Sequence, residues 1–129
     1  GDREWPQGFQ IEWYNKRGQV TSFFRANHVF FNKSKNIYHA TGNVVVRSFV
    51  KQDKLTTEEL FWDQLGHTFY TEKFVTIESD DEVHTGEGME SNEDFTEYRI
   101  LKPNGTFSLE DDPNRPSQRE IPLSPAKKQ

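Results

Sequence analysis

The sequence predicts an all-β domain, and three observations carry that prediction: an aromatic-rich apolar content, turn-forming clusters at short intervals, and apolar residues alternating with polar ones. Phe, Trp and Tyr together number 18, almost matching the 19 Ile, Leu and Val residues. Helical bundles draw on Leu and Ala stripes, whereas rings and β-branched side chains suit a pleated surface. With 129 residues, 32% of them hydrophobic, the chain has material for one core.

Turn signals recur at Asn15-Lys16-Arg17-Gly18, Asn32 to Asn36, Lys51 to Lys54, Asp63 to Gly66, Ser79 to Glu82, Ser91 to Asp94 and Lys102-Pro103-Asn104-Gly105. They cut the chain into about eight segments of strand length. The last reads as a tight reversal, since Pro presets the first turn angle and Asn-Gly tolerates positive φ.

Taken in order, Phe9, Ile11 and Trp13 share one face of a strand and Gln10 and Glu12 the other. Phe24 and Ala26 continue the apolar face, and Val44, Val45 and Val46 form a short, mostly buried run. The stretch from Leu55 to Leu65 admits two readings. It fits a strand with Leu60 and Trp62 inward, and also a helix capped by Thr56 and Glu59 ahead of Leu60, Phe61 and Leu65. Phe69 follows, then Val75 and Ile77 alternate with Thr76 and Glu78. Val83, Met89 and Ile100 complete the expected inward face, although one β-bulge reverses the facing of everything beyond it. Residues 1–109 are expected to form the domain, and 110–129, polar and punctuated by Pro113, Pro116, Pro122 and Pro125, a disordered tail.

Charge is segregated along the chain. Residues 14–54 hold eight Lys or Arg and one acid, Asp53, while residues 78–97 hold nine Asp or Glu and no Lys or Arg. The formal net charge of -5 argues against nucleic-acid binding, which requires a basic surface. No run of 18 apolar residues is present to cross a membrane as a helix, and the absence of cysteine excludes disulfides and thiolate metal sites. Because strand-like sequence follows Gly1 at once, a targeting or anchoring segment is expected ahead of it in the full-length protein.

Chemistry-bearing constellations are sparse. His28, His39, His67 and His84 are scattered, with no pair at ligand spacing on one element. Glu58 and Glu59 are adjacent, so on a strand they point to opposite faces and cannot form an acid–base dyad. Gly86-Glu87-Gly88 lacks the third glycine of a phosphate cradle and reads as strand glycine at a close backbone approach. Asp80, Asp81 and Glu82 lack the spacing of a calcium loop and read as a solvated turn. What remains is a broad apolar face, either an ordinary sandwich core or a lipid groove.

In order along the chain, Glu4-Trp5-Pro6-Gln7-Gly8-Phe9, Gly18-Gln19-Val20-Thr21-Ser22 with Arg25-Ala26, Gly42-Asn43-Val44-Val45-Val46, Leu55 to Asp63, Phe69 to Ile77 and Thr85 to Asn92 resemble the consecutive strand motifs of the LptC family, the periplasmic component of lipopolysaccharide export. The resemblance implies an open, twisted antiparallel β-jellyroll, with Leu55 to Asp63 a strand rather than a helix. It also implies a non-enzymatic conduit without a cofactor. Lipopolysaccharide acyl chains would then slide along Phe9, Ile11, Trp13, Phe24, Ala26, Val44, Val46, Leu60, Trp62, Phe69, Val75, Ile77, Val83, Met89 and Ile100. The implied partners are the inner-membrane ABC transporter subunits and the bridging protein LptA, and the implied location is the periplasm, anchored at the inner membrane. In the family the C-terminal edge meets LptA, which makes Glu90, Glu93, Asp94 and Glu97 the expected contact residues. Two other readings stay in view: an LptA-like soluble bridge, and a carbohydrate-binding or structural β-sandwich.

Overall fold

The computed structural model describes residues 1–108, which form an all-β fold of nine antiparallel strands. In chain order these are β1 (Arg3–Trp5), β2 (Phe9–Tyr14), β3 (Val20–Ala26), β4 (His28–Asn32), β5 (Ile37–Ser48), β6 (Asp53–Asp63), β7 (Thr68–Glu78), β8 (Glu82–Asn92) and β9 (Tyr98–Ser108). The long strand β5 pairs with β4 through Ile37 to Thr41 and with β3 through Val45 to Ser48. β1 and β2 pair in turn with β4 and β3. The two short pairs therefore act as two long strands, one broken at Pro6-Gln7-Gly8 and one at Asn27. The sheet is a meander in which neighbours in sequence are neighbours in space, and it does not close: among the described residues, β9 pairs only with β8 and β1 only with β4.

A crease folds this sheet onto itself. Pairing slips by one residue between Thr41 and Val44 on β5, between Thr57 and Phe61 on β6, between Thr71 and Phe74 on β7, and between Thr85 and Gly86 on β8. Bulges bend a strand and increase its twist, and these lie side by side on successive strands. Gly42 and Asn43, with φ of 81° and 48°, supply the left-handed backbone at the β5 bulge. One leaf comprises β1, β4, the first part of β5, and the segments 59–63, 68–71, 89–92 and 98–101. The other comprises β2, β3, the second part of β5, and 53–57, 74–78, 82–87 and 105–108. Rings from β2 and β3 meet rings of the opposite leaf: Trp13 lies 5.8 Å from Trp62, and Phe9 lies 6.1 Å from Tyr38. The core is the space between the leaves.

Four sequence expectations change. Lys102-Pro103-Asn104-Gly105 is not a reversal but lies inside β9, where Gly86 faces Pro103 and Thr85 faces Gly105, leaving Asn104 as the extra residue of a bulge. Leu55 to Asp63 is strand throughout, so the helical alternative falls. The count is nine strands rather than about eight, because Pro6-Gln7-Gly8 and Asn27 interrupt what pairing treats as continuous strands. Val83 points away from the interior: it stands opposite Glu78, whereas its neighbour His84 stands opposite the buried Ile77. The frame of β8 switches at Glu87-Gly88, and extrapolating back from Met89 assigns Val83 to the wrong face. The segment expected to form a tail, 110–129, lies outside the described residues.

Candidate functional site

The inner faces of the leaves form one apolar surface built row by row across the strands. On the first leaf Phe31, Tyr38, Trp62 and Phe69 stand opposite one another in adjacent strands, with ring centroids 4.5, 4.9 and 5.8 Å apart. On the second leaf Ile11, Phe24, Val46, Leu55 and Ile77 form the matching row. Phe24 reaches across to stack with Phe69 at 6.1 Å. Aromatic pairs in such offset and edge-on arrangements contribute about 0.5–1.5 kcal/mol each beyond area burial.

Ten of the expected inward residues, Phe24, Ala26, Val44, Val46, Leu60, Trp62, Phe69, Val75, Ile77 and Met89, are buried in this interior, and Phe9, Ile11, Trp13 and Ile100 are half-buried against it. Sequence reasoning missed Val29, Phe31, Ala40, Leu55 and Phe95, which are also buried, and Trp5, Tyr38 and Tyr98 on its margin. The run His28-Val29-Phe30-Phe31 offers no polar alternation to mark its inner face, and Leu55 was obscured by the competing helical pattern. Phe95 sits in a loop, where no period operates.

The character of the surface changes across the sheet. From β2 to β7 it is mainly aromatic and aliphatic, with Ser48, Asp53, Thr57 and Thr71 buried among these residues. On β8 and β9 the inner residues become Gly86, His84, Thr106 and Ser91, with Met89, Tyr98 and Ile100 beside them. A cavity of about 670 Å³ opens there, lined by Lys51, Asp53, His84, Thr85, Thr96, Glu97, Tyr98, Ile100, Pro103, Gly105 and Thr106. Burial raises the Asp53 carboxyl from its ordinary value, against the opposing charge of Lys51. The Tyr98 phenol is raised as well, by burial first and then by the charges of Asp53 and Glu82. Two weakened acids thus stand on the cavity wall.

The histidines are each paired with a carboxylate rather than with one another: His28 with Glu4, His39 with Glu59, His67 with Glu93 and His84 with Glu82. Among the described residues no group of three or more His, Asp or Glu is placed to hold a metal ion. The interior offers apolar contact over a long path and a polar margin at one edge.

This chain matches the family model described as lipopolysaccharide-assembly, LptC-related, over residues 10–103. It belongs to the LptC family. No curated protein matches it. Membership gives the chain a role in lipopolysaccharide transport within the cell envelope, in a family of transport components not known as enzymes.

The four acidic residues expected at an LptC docking edge gather at the end of β8 and in the loop before β9, but they are not equivalent. Glu90 is exposed and pairs with Arg99 at 2.9 Å. Glu97 is exposed, and Asp94 accepts from Thr96 Oγ1 at 2.7 Å. Glu93 is turned toward the interior, where Trp62 Nε1 donates to it at 2.7 Å and His67 Nδ1 lies 3.0 Å away. Arg99 and Lys102 on β9 itself break the acidic run.

Proposed function

We propose that this domain is a periplasmic lipid conduit, which receives lipopolysaccharide from the inner-membrane ABC transporter and passes it to an LptA-like bridge with the acyl chains held between the leaves. The observation that carries the reading is the mainly aromatic and aliphatic surface from β2 to β7, inside a sheet whose two edges are unpaired among the described residues. Each methylene moved from water to such a surface gains about 0.8 kcal/mol, so partial burial of an acyl chain suffices to hold it. A surface that holds by area rather than by fixed polar anchors also lets a chain slide.

The polar cavity beside β8 and β9 suits the other end of the same lipid, the sugar and phosphate head, at the margin of the fold. β9, an edge whose outer N–H and C=O groups are unpaired among the described residues, suits strand addition by the next protein, with Pro103 limiting the addition to the Tyr98 to Lys102 stretch. Anchorage at the inner membrane through a segment outside this chain completes the reading. The test is photo-crosslinking in cells from a photoreactive residue replacing Trp62, followed by a blot for lipopolysaccharide. A lipopolysaccharide adduct at Trp62 is the expected result; crosslinks only to protein would overturn the reading.

A further inference from the structure

The loop between β8 and β9 turns inward rather than outward. Phe95, at its tip, is 1% exposed and belongs to the apolar core, although it lies in no strand. Its φ of 57° is a left-handed conformation that an aromatic residue adopts only when its surroundings enforce it.

What enforces it is local. Asn92 O accepts from Phe95 N at 3.1 Å, Asn92 N donates to Glu97 O, and Asn92 Oδ1 accepts from the backbone N–H of Thr96 and Glu97 at 2.9 and 3.0 Å. The loop is thus a preformed unit on the Asn92 side chain, and its polar ties to the rest of the molecule are few. Glu93 accepts from Trp62 Nε1 and faces His67, and Lys51 Nζ, from the β5–β6 turn of the opposite leaf, donates to Thr96 O at 2.7 Å. These are side-chain ties, and breaking them costs no sheet pairing.

The ring also occupies a particular place. Phe95 stacks on Tyr98 at 5.3 Å, and Tyr98 lines the 670 Å³ cavity, whereas the other neighbours of Phe95 are the packed core. It stands between the polar margin and the apolar path. Its apolar ring fills space that an acyl chain would use, and one of its loop's anchors is Trp62, a wall residue of that path.

We propose that Phe95 is a displaceable plug: the β8–β9 loop, latched by Glu93 to Trp62 and by Lys51 to Thr96, closes the interior at the β9 side and swings out as a unit when an acyl chain takes the place of its ring. The inference rests on the conduit reading and concerns regulation of the same site. A plug closed about nine-tenths of the time hides about tenfold of the affinity behind it.

The experiment titrates the domain with two probes, the uncharged dye N-phenyl-1-naphthylamine and purified lipopolysaccharide, in wild type, Phe95→Gly, Phe95→Leu and the double variant Lys51→Ala with Glu93→Ala. Glycine removes the ring and accepts the positive φ without strain, leucine keeps apolar bulk, and the double variant releases the latch with the ring intact. Dye affinity is expected to rise by about tenfold in Phe95→Gly, by less in the double variant, and hardly at all in Phe95→Leu. If the dye follows this order while no variant binds lipopolysaccharide, the plug stands and the conduit reading falls. Equal binding of dye and of lipopolysaccharide by wild type and Phe95→Gly overturns the plug and leaves the conduit. Failure of both Phe95→Gly and the double variant to fold also overturns it, because a plug that moves must be dispensable to the fold.

Discussion

Asp53 is buried at the start of β6, 5% exposed, on the wall of a cavity whose other ionisable groups are Lys51, His84, Glu97 and Tyr98. In the sequence it reads as one more polar turn residue, since Lys51-Gln52-Asp53-Lys54 has a turn's composition and nothing in a turn signal says which side chain folds inward. Its raised carboxyl has a direct consequence for stability. A group whose folded pKa exceeds its unfolded value contributes stability that is fully present below the unfolded pKa and is lost as pH rises through the folded one. Neutral pH therefore charges a buried acid at a cost, and Asp53→Asn, which mimics the protonated form, removes that cost. Thermal melts should show the variant more stable than wild type by a few degrees at pH 7, and matched to it at a pH below the ordinary carboxylate range. A variant less stable at pH 7 would mean that the Asp53 charge is used, by Lys51 first of all.

Gly86 shows what an element needs that its composition does not display. A Cβ there would meet Ile100 Cγ2, the backbone oxygen of Lys102 and the Cα of Pro103, so β8 and β9 approach closely only because this position is bare. Gly86→Val is expected to destabilise the domain by about 1–3 kcal/mol, the usual cost of overpacking, and to loosen β9 preferentially. Hydrogen exchange should show protection lost along Tyr98 to Ser108 while β5 and β6 keep theirs; uniform loss would contradict the close-approach argument. Much of the element layout was legible: the turns after β2, β4, β6, β7 and β8 fall at Asn, Asp, Gly or Ser clusters, whereas the turn after β5 is Phe49 to Gln52, with Asp53 and Lys54 already in β6, and the alternation of Phe9, Ile11 and Trp13 and of Val75 and Ile77 matches their facing. The crease was not legible. A bulge adds one residue without a composition of its own, so Leu55 and Thr57 face inward at odd positions while Leu60 and Trp62 do so at even ones on the same strand. Val83 falls to that effect, and Pro103-Asn104-Gly105 reads as a reversal because a bulge on an edge strand tolerates the same residues a turn does. Phe95 was invisible for the opposite reason, since its burial is made by a loop rather than by a period.

Across the whole molecule the meander converts order in sequence into position in space. The basic stretch 14–54 therefore lies on the β2 to β5 side and the acidic stretch 78–97 beside β9, which makes the sheet polar between its two open edges. Edge pairing is indifferent to direction, and such polarity supplies one through encounter rate. Glu93 is occupied by Trp62 and Glu90 by Arg99, so Asp94 and Glu97 are the acids to change. Asp94→Lys with Glu97→Lys is expected to slow association with an LptA-like partner and flatten its salt dependence without changing the melting temperature by more than a few degrees; an unchanged rate at low salt would contradict it. The central claim, that lipid travels between the leaves, is tested most directly by scanning a photoreactive residue along single strands whose facing is fixed by pairing: Val44, Val45 and Val46 on β5, and Val75, Thr76 and Ile77 on β7. Crosslinking of lipopolysaccharide with period two, strong at Val44, Val46, Val75 and Ile77 and weak at Val45 and Thr76, is the predicted result. Equal crosslinking at all six positions, or a maximum at Val45 and Thr76, would place the lipid on the outside of the sheet and contradict the account.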